Sequence, residues 1–198
     1  MTKDDAVQPP RDTRAEIIRA TAELLETRGI GAVMLRAVGS KVGVTRTTPY
    51  RHFKDKEGLL VAVASQYFAQ LKDAMSAAAV SETDPLRRLE VIALAYIHFV
   101  LDHPAKYRLM LGPEVRDSDT VEVAAHEVFE LLTEAVAACQ DTGHLRAGDT
   151  LRLSALIFAS VHGVLDLSLA GHVSAAKGLD GAEIIRFLLR QLHQVERS

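Results

Sequence analysis

Apolar side chains recur at the three- and four-residue spacing of a helix along nearly the whole chain, and no stretch keeps the two-residue alternation of a strand. Capping residues, glycine or proline stand between the apolar runs. We predict helices at about 13–28, 35–42, 46–53, 56–79, 85–102, 104–111, 119–143, 150–171 and 181–195. The pattern therefore predicts an all-α protein of about nine helices.

Several predicted helices begin at a side chain that can accept a hydrogen bond from the free N–H groups of the first turn. Thr13, followed by Glu16, has the spacing of a capping box. The other predicted caps are Asp55, Asp84, Ser118 or Asp119, and Asp149.

Two of the predicted helices, 35–42 and 46–53, are very short and are joined by a turn that contains Gly43. This is the form of a helix-turn-helix, whose second helix enters the major groove of DNA. Gly43 suits the turn because glycine adopts positive φ without a Cβ clash, and Thr45 can cap the second helix. Pro49 lies early enough in that helix to be tolerated.

Charge is distributed unevenly along the chain, whose net charge is −3. Residues 1–56 carry 11 Lys and Arg against 7 Asp and Glu, whereas residues 57–198 carry 12 against 19. Between residues 28 and 56, seven basic residues accompany one acid, Asp55. This distribution favours a polyanion as partner of the basic segment, with a solvated charged surface as the alternative.

The second short helix displays hydrogen-bond donors and threonine methyl groups, which suit base edges in a major groove flanked by phosphates. In helix-turn-helix docking, the N-terminal part of this helix meets the base edges. The residues concerned are Arg46, Thr47, Thr48, Tyr50, Arg51, His52 and Lys54.

These residues make the segment 13–60 recognisable, because it resembles the N-terminal domain of the tetracycline-repressor (TetR) family of bacterial transcriptional regulators. The resemblance is carried by the turn Gly43-Val44-Thr45, the block Tyr50-Arg51-His52-Phe53 with Lys56, and Leu59-Leu60. Gly39 departs from the pattern, since the family usually has alanine there. Glycine at this position weakens the first short helix by up to about 1 kcal/mol.

The resemblance implies a role for each matched residue. Base reading is expected of Arg46, Thr47 and Thr48, and phosphate contact of Arg36, Thr45, Tyr50, His52 and Lys56. Two alternatives stay open: Tyr50 would equally brace the short helix, and Thr45 would equally act as a cap alone.

The C-terminal part resembles a subgroup of the same family whose ligand domain carries a Trp-His-Gly motif. The matching pieces are 103–110, Val161-His162-Gly163 and Ala170-Gly171-His172. Val161 replaces the tryptophan, so the shape of the pocket does not carry over. A cavity for a small hydrophobic or amphipathic effector is expected between the helices, with ordinary core packing as the alternative for each apolar residue. Its expected lining is Tyr96, His98, Phe99, Tyr107, Met110, Phe129, Phe158 and His162.

The last two helices, about 151–171 and 181–195, are apolar over more than one face. Such helices need burial on several sides. We therefore predict a homodimer through these two helices, with a tightly wrapped monomer as the alternative. Together these features predict a disordered tail at 1–11, a helix-turn-helix DNA-binding domain at 12–56, and a ligand-binding and dimerisation domain at 57–198.

Composition and motifs argue against other classes of protein. The strongly apolar stretch Leu153–Leu165 is shorter than the roughly 20 residues of a membrane span, and the first residues lack the apolar run of a signal peptide. Cys139 is the only cysteine, so we expect a protein of a reducing compartment, the cytoplasm. His126 and Glu130 favour a salt bridge over a metal site, and no cofactor, metal or catalytic residue is expected.

These inferences converge on a homodimeric, ligand-responsive transcriptional regulator. A repressor that binds a palindromic DNA operator and is released by a small effector is the favoured form. The alternative is an all-α carrier of a small molecule or lipid without specific DNA binding.

Overall fold

The computed structural model of the protein describes residues 12–193 and builds them from helices. Residues 1–11 of the predicted tail, and 194 and 195 of the predicted last helix, lie outside the described residues. The α-helices are α1 Thr13–Arg28, α2 Leu35–Val42, α3 Thr48–His52, α4 Lys56–Ala79, α5 Pro85–Asp102, α6 Pro104–Met110, α7 Asp119–Asp141, α8 Thr150–Leu169 and α9 Gly181–Leu192. Over the described range, the all-α prediction with about nine helices is confirmed.

Most of the predicted helix caps are also confirmed. Asp55, Asp84, Ser118 and Asp149 each accept a hydrogen bond from the backbone N–H three residues later. The prediction of Thr13 as the cap of α1 is wrong. Asp12 holds this position and accepts from the Ala15 N–H over 3.0 Å, since a carboxylate at a helix N-terminus also interacts favourably with the helix dipole.

The chain divides into two compact units between Val63 and Ala64, within α4. In the first unit, α1, α2 and α3 pack together around buried apolar side chains. Helices as short as α2 and α3 are marginal alone, so this packing is what stabilises them. The core of the unit includes Ile17, Leu25, Val33, Leu35, Val38, Phe53, Leu59 and Leu60. The boundary after residue 56, between a DNA-binding domain and a ligand-binding and dimerisation domain, remains a prediction.

The second unit is organised around α5, which packs against α6, α7, α8 and α9. The side chains of Leu89, Ile92, Ile97 and Val100 on α5 are almost fully buried. After α9, His193 forms an isolated antiparallel bridge with Leu145. This bridge holds the chain in extended backbone at the point where the predicted last helix would have continued.

Helix α8 extends the apolar character of Leu153–Leu165 over a longer stretch than the sequence predicts. Over its whole length, α8 is long and apolar enough to cross a membrane by length and composition alone. Only 28% of its most apolar stretch is buried within the chain. The helix also carries His162 and Asp166, both hydrogen-bonded to Tyr107 of α6. These polar contacts place α8 as a packed helix of the second unit with one apolar face left open.

Candidate nucleic-acid interface and effector pocket

The turn between α2 and α3 has the geometry that the sequence predicts. Gly43 ends α2 with φ of 74° and ψ of 26°, in the left-handed region. Its N–H donates to the carbonyls of Gly39 and Ser40, and the Val44 N–H donates to the Gly39 carbonyl over 3.0 Å. The turn therefore satisfies the last carbonyl groups of α2 while it redirects the chain into α3.

Helix α3 is shorter than predicted, because it occupies Thr48–His52 and not 46–53. Pro49 is its second residue and is buried. Proline has no N–H to donate to a capping side chain, and the Tyr50 N–H bonds to the carbonyl of Thr47 over 3.1 Å. The helix therefore begins two residues late, and Arg46 and Thr47 lie in the turn that precedes it.

The hydroxyl of Thr45 does not cap α3, contrary to the prediction. It lies 2.8 Å from the hydroxyl of Thr48 and 3.2 Å from that of Thr47. The backbone carbonyl of Thr45 accepts the Thr48 N–H over 3.0 Å. The three hydroxyls thus hydrogen-bond among themselves, and each can exchange that partner for a base or a phosphate.

We call Arg46–Thr48 the reading segment. Arg46 and Thr47 are exposed, and Thr48 is half-buried. The side chains predicted to contact phosphate that are also exposed are Arg36, Thr45, Tyr50 and His52. The structure therefore leaves the basic and hydroxyl groups of this segment open to solvent, while Pro49 and Phe53 of the same region are buried.

Lys56 has a structural contact that sequence reasoning missed. Its side chain is half-buried, and Nζ donates to the backbone carbonyl of Ile30 over 2.9 Å. The bond joins the first residue of α4 to the turn after α1. A lysine ammonium has three donors, so this contact leaves capacity for a phosphate.

Two further exposed basic residues of the first unit, Arg14 and Lys41, also have contacts with neighbouring side chains. The Arg14 guanidinium lies 5.3 Å from the centre of the Phe53 ring, a cation–π contact between α1 and the end of α3. Lys41 pairs with Glu23 over 3.0 Å, at an exposed position where such a pair contributes little to stability. Neither contact involves the reading segment.

A second group of polar residues lies in the other unit, and we call it the polar chain: Tyr96, His162, Tyr107 and Asp166. The Tyr96 hydroxyl lies 3.0 Å from His162 Nε2, and the Tyr107 hydroxyl lies 3.1 Å from His162 Nδ1. The Tyr107 hydroxyl donates to Asp166 Oδ1 over 3.1 Å. Helices α5, α6 and α8 each contribute to the chain.

The hydrogen bonds of the polar chain run in one direction. Since the Tyr107 proton goes to Asp166, the Tyr107 oxygen accepts from Nδ1–H of His162. Nε2 is then bare and accepts the proton of Tyr96. Burial lowers the pKa of His162, partly opposed by Asp166, and raises the pKa of both tyrosine hydroxyls. The two tyrosines and the imidazole are therefore neutral at pH 7.

Beside the polar chain lies an apolar cavity of about 10 Å³, room for about one water molecule. Tyr96, Phe158 and Val161 line it together with apolar residues of α4, α5 and α7. The Phe158 ring lies 4.2 Å from the His162 ring, centre to centre, so the cavity and the polar chain share a wall.

The residues predicted to line an effector cavity have different positions in the structure. Tyr96 and Phe158 line the cavity, whereas Tyr107 and His162 form the polar chain. The others surround this region or lie elsewhere: Met110 is buried, Phe129 packs edge-on against Phe158, and Phe99 is half-buried beside His103.

The prediction that His98 lines the cavity is wrong, because its side chain is exposed and does not reach the cavity wall. It lies two positions from the buried Tyr96 on α5, and a two-residue step turns a helical side chain to a different face. Sequence reasoning also missed Asp166. Its position four residues after His162 on one helix was the available signal, since residues at that spacing are neighbours on a helix surface.

Two other candidates for chemistry take the positions that the sequence predicts. His126 Nε2 lies 3.2 Å from Glu130 Oε1, on the exposed surface of α7. Cys139 is fully buried, and burial raises the pKa of its thiol to about 11. A buried thiol of this pKa is a small core residue and not a nucleophile.

Comparison with known families decides between the two classes of protein that the sequence left open. Residues 17–63 match the family described as bacterial regulatory proteins, tetR family. Residues 89–192, just over half of the chain, match the tetracyclin repressor-like C-terminal domain. The chain belongs to the TetR family. It is therefore a DNA-binding transcriptional regulator and not an enzyme, and the carrier alternative is not supported.

Individual relatives agree with this membership. The nucleoid occlusion factor SlmA of Alteromonas mediterranea is 27% identical over 75% of this chain and 76% of its own length. The tetracycline repressor protein class D of Escherichia coli is 28% identical over 71% of this TetR-family chain and 66% of its own. A solved structure of a protein of unknown function from Rhodococcus sp. RHA1 superposes with a TM-score of 0.82 at 25% identity, covering 97% of this chain and all of that one.

Proposed function

We propose that this regulator is a repressor that binds a palindromic operator as a homodimer and is released by a small, uncharged, largely apolar effector. The observation that carries the proposal is the exposed reading segment, presented at the start of a short helix whose other side is buried. Similarity to the tetracycline repressor protein class D supports a role in repressing transcription. The cytoplasm, where bacterial DNA is found, is the proposed location.

In this proposal the reading segment contacts base edges and its neighbours contact phosphates. The guanidinium of Arg46 suits a bidentate contact with guanine, and the methyl groups of Thr47 and Thr48 suit thymine. Phosphate contacts fall to the surrounding groups, which fix the register of the protein on the duplex without specifying sequence. They are Arg36, Thr45, Tyr50, His52 and Lys56.

The open face of α8 and the adjoining face of α9 support dimerisation through these helices. Leu156 of α8 is 51% exposed, and Phe187 of α9 is 58% exposed. Ala155, Ala159 and Gly163 follow one another at four-residue spacing on α8 and are also exposed. Apolar surface of this kind marks an interaction site, and the small side chains allow another helix to approach closely. A second copy of this chain would cover both faces symmetrically.

The cavity wall supports an uncharged effector. Its lining carries no ionisable side chain apart from the neutral Tyr96, and a charge without a partner is costly to bury. The cavity has room for only about one water, so an effector must displace side chains such as Phe158. His162, which belongs to the polar chain, and Gly163 match the last two residues of the Trp-His-Gly motif and support membership of that subgroup, whereas Val161 departs from its tryptophan.

Helix α4 supports a route by which an effector would act on DNA binding. Its first residue, Lys56, is bonded to the Ile30 carbonyl of the first unit, and Met75 near its other end lines the cavity. An effector that favours an open cavity would shift the population towards a state with a displaced α4. A coupling of about 1–3 kcal/mol between the two sites would suffice for induction.

Footprinting of the purified protein on DNA that flanks its own gene tests this function. A protected site with twofold symmetry, lost at high salt, is the expected result, because a dimer places two reading segments on related half-sites. The matched control is Arg116→Ala, which removes an exposed arginine of the second unit outside α8 and α9 and leaves the footprint unchanged. Absence of protection at low salt, or an asymmetric site bound by a monomer in sedimentation, would contradict the proposal.

A further inference from the structure

Gly39 lies in the middle of α2, where it is buried against α3. A Cβ atom at this position would lie 3.0 Å from Cγ and 3.3 Å from Cδ of Pro49. The proline ring is closed onto its own backbone nitrogen, so these atoms cannot rotate away as a flexible side chain would. The missing methyl group of Gly39 is therefore what lets the Pro49 ring, and α3 with it, approach α2 this closely.

The same point on α2 also contacts the other end of the reading segment. A Cβ atom at Gly39 would lie 3.5 Å from the backbone carbonyl oxygen of Thr45. Thr45 precedes the reading segment and Pro49 follows it, so the segment forms an arch whose two ends both rest on Gly39. The Thr48 N–H, which donates to the Thr45 carbonyl over 3.0 Å, closes the arch from inside.

We propose that Gly39 and Pro49 are a coupled positioning pair that sets the path of the reading segment and thereby the base preference of this regulator. Neither residue contacts DNA in this proposal. The proline starts α3 late and leaves Arg46 and Thr47 in the turn, and the glycine provides the space into which the proline ring fits. The proposal rests on the base-reading role given above to Arg46–Thr48.

The physical consequence concerns selectivity more than overall affinity. Alanine at position 39 would displace the Pro49 end of the arch by a few tenths of an ångström while the Thr45 end stays in ordinary van der Waals contact, and so would move the Arg46 guanidinium relative to the base edges. Hydrogen bonds to bases depend steeply on distance and angle, whereas attraction to phosphates does not. Misplacement of the arch therefore lowers binding to the preferred sequence while non-specific binding is retained.

The experiment uses the full-length protein and duplexes that the wild type enriches from a random-sequence pool. The ratio of affinity for the enriched duplex to affinity for its scrambled version is measured at the same series of salt concentrations for every variant. We expect Gly39→Ala to lower this ratio about tenfold, the discrimination of one good base contact, with the salt dependence unchanged. Adding Pro49→Ala removes the ring atoms that clash, and the methyl group added at position 39 then fills the space that the ring leaves. The double variant should therefore recover most of the lost ratio.

Gly31→Ala is the matched control, because it makes the same substitution in the same unit where a Cβ would meet nothing within 4 Å. Its selectivity ratio should equal that of the wild type. Should Gly39→Ala fail to fold, as judged by circular dichroism, Pro49→Ala alone takes its place. Loss of the ring then frees the arch and should lower the ratio by about threefold or more, since one suboptimal base contact costs at least that much.

Two sets of results overturn different statements. If Arg46→Ala leaves the selectivity ratio unchanged, the reading role of the segment is wrong. If Arg46→Ala lowers the ratio but Gly39→Ala stays within twofold of the wild type, or the double variant is no better than Gly39→Ala, the positioning pair is wrong and the reading role stands.

Discussion

The reading segment and the polar chain both present hydroxyl and basic groups, yet their hydrogen bonds are organised in opposite ways. At the reading segment, the hydroxyls of Thr47 and Thr48 each bond to the hydroxyl of the preceding Thr45, at or near the surface and with no fixed direction. In the polar chain, each proton has one acceptor, from Tyr96 through His162 and Tyr107 to Asp166. The first arrangement leaves its groups available to an incoming partner, whereas the second holds its four side chains in one arrangement.

This difference has an energetic counterpart. Water replaces a lost partner at an exposed site, so changes in the reading segment should alter DNA binding and leave stability nearly unchanged. In the polar chain, Tyr96 and Tyr107 are buried, His162 is half-buried and Asp166 is exposed. A group that loses its partner at a buried or half-buried position keeps much of the cost of its desolvation. Changes in the polar chain should therefore alter stability first.

Arg46→Ala should have the largest expected effect, a loss of affinity for the preferred DNA duplex. Loss of a bidentate base contact costs about 1–3 kcal/mol of discrimination, which is roughly fivefold to 150-fold in affinity for the preferred duplex. The free energy of unfolding, measured by urea titration, should change by less than about 0.5 kcal/mol because the side chain is exposed. Arg116→Ala serves as the control. A large loss of stability with unchanged base preference would reverse the comparison.

Tyr107→Phe should show the opposite behaviour. It removes the acceptor of the His162 Nδ1–H and the donor to Asp166 while it keeps the aromatic ring. The free energy of unfolding should fall by about 1–3 kcal/mol, since a buried N–H is left without its partner. Tyr50→Phe, at a position 49% exposed, is the matched control for stability and should change it by less than about 0.5 kcal/mol. Equal effects at the two positions would show that the chain is not a connected unit.

A smaller effect is expected in the dependence of stability on pH. Burial lowers the pKa of His162 in the folded protein, so the unfolded state binds its proton first as the pH falls. The contribution of His162 is thus fully present above its unfolded pKa of about 6.5 and declines below that value. In His162→Gln, the loss of stability between about pH 7 and 5 should be shallower than in the wild type. Parallel curves for the two proteins would contradict a neutral, buried His162.

The helices and most of their caps could be predicted from sequence because they depend on neighbours along the chain. Asp84 and Asp149 meet N–H groups three residues away, which spacing alone indicates. The start of α3 could not be predicted in the same way. It depends on Pro49 packing against Gly39, a contact between two helices that no local pattern contains.

The polar chain and the cavity beside it were less predictable from the sequence than the turn between α2 and α3. An apolar helix predicts that its side chains are buried somewhere but not which ones meet, so Tyr107 of α6 and Asp166 of α8 could not be paired in advance. His98 was assigned to the pocket from its position on an apolar helix, although its two-residue distance from Tyr96 argued against it. Exposed residues that act singly, such as Arg46, need no such pairing.

The arch that rests on Gly39 has a consequence for anyone who wishes to redirect this regulator to new DNA sequences. A library that varies only positions 46–48 samples new side chains on a single backbone route. Joint variation of positions 39 and 49 would sample different routes as well, and with them different angles of approach to the groove. The same coupling applies to natural variation. A new backbone path for the reading segment requires substitutions at both position 39 and position 49, each of which is unfavourable alone.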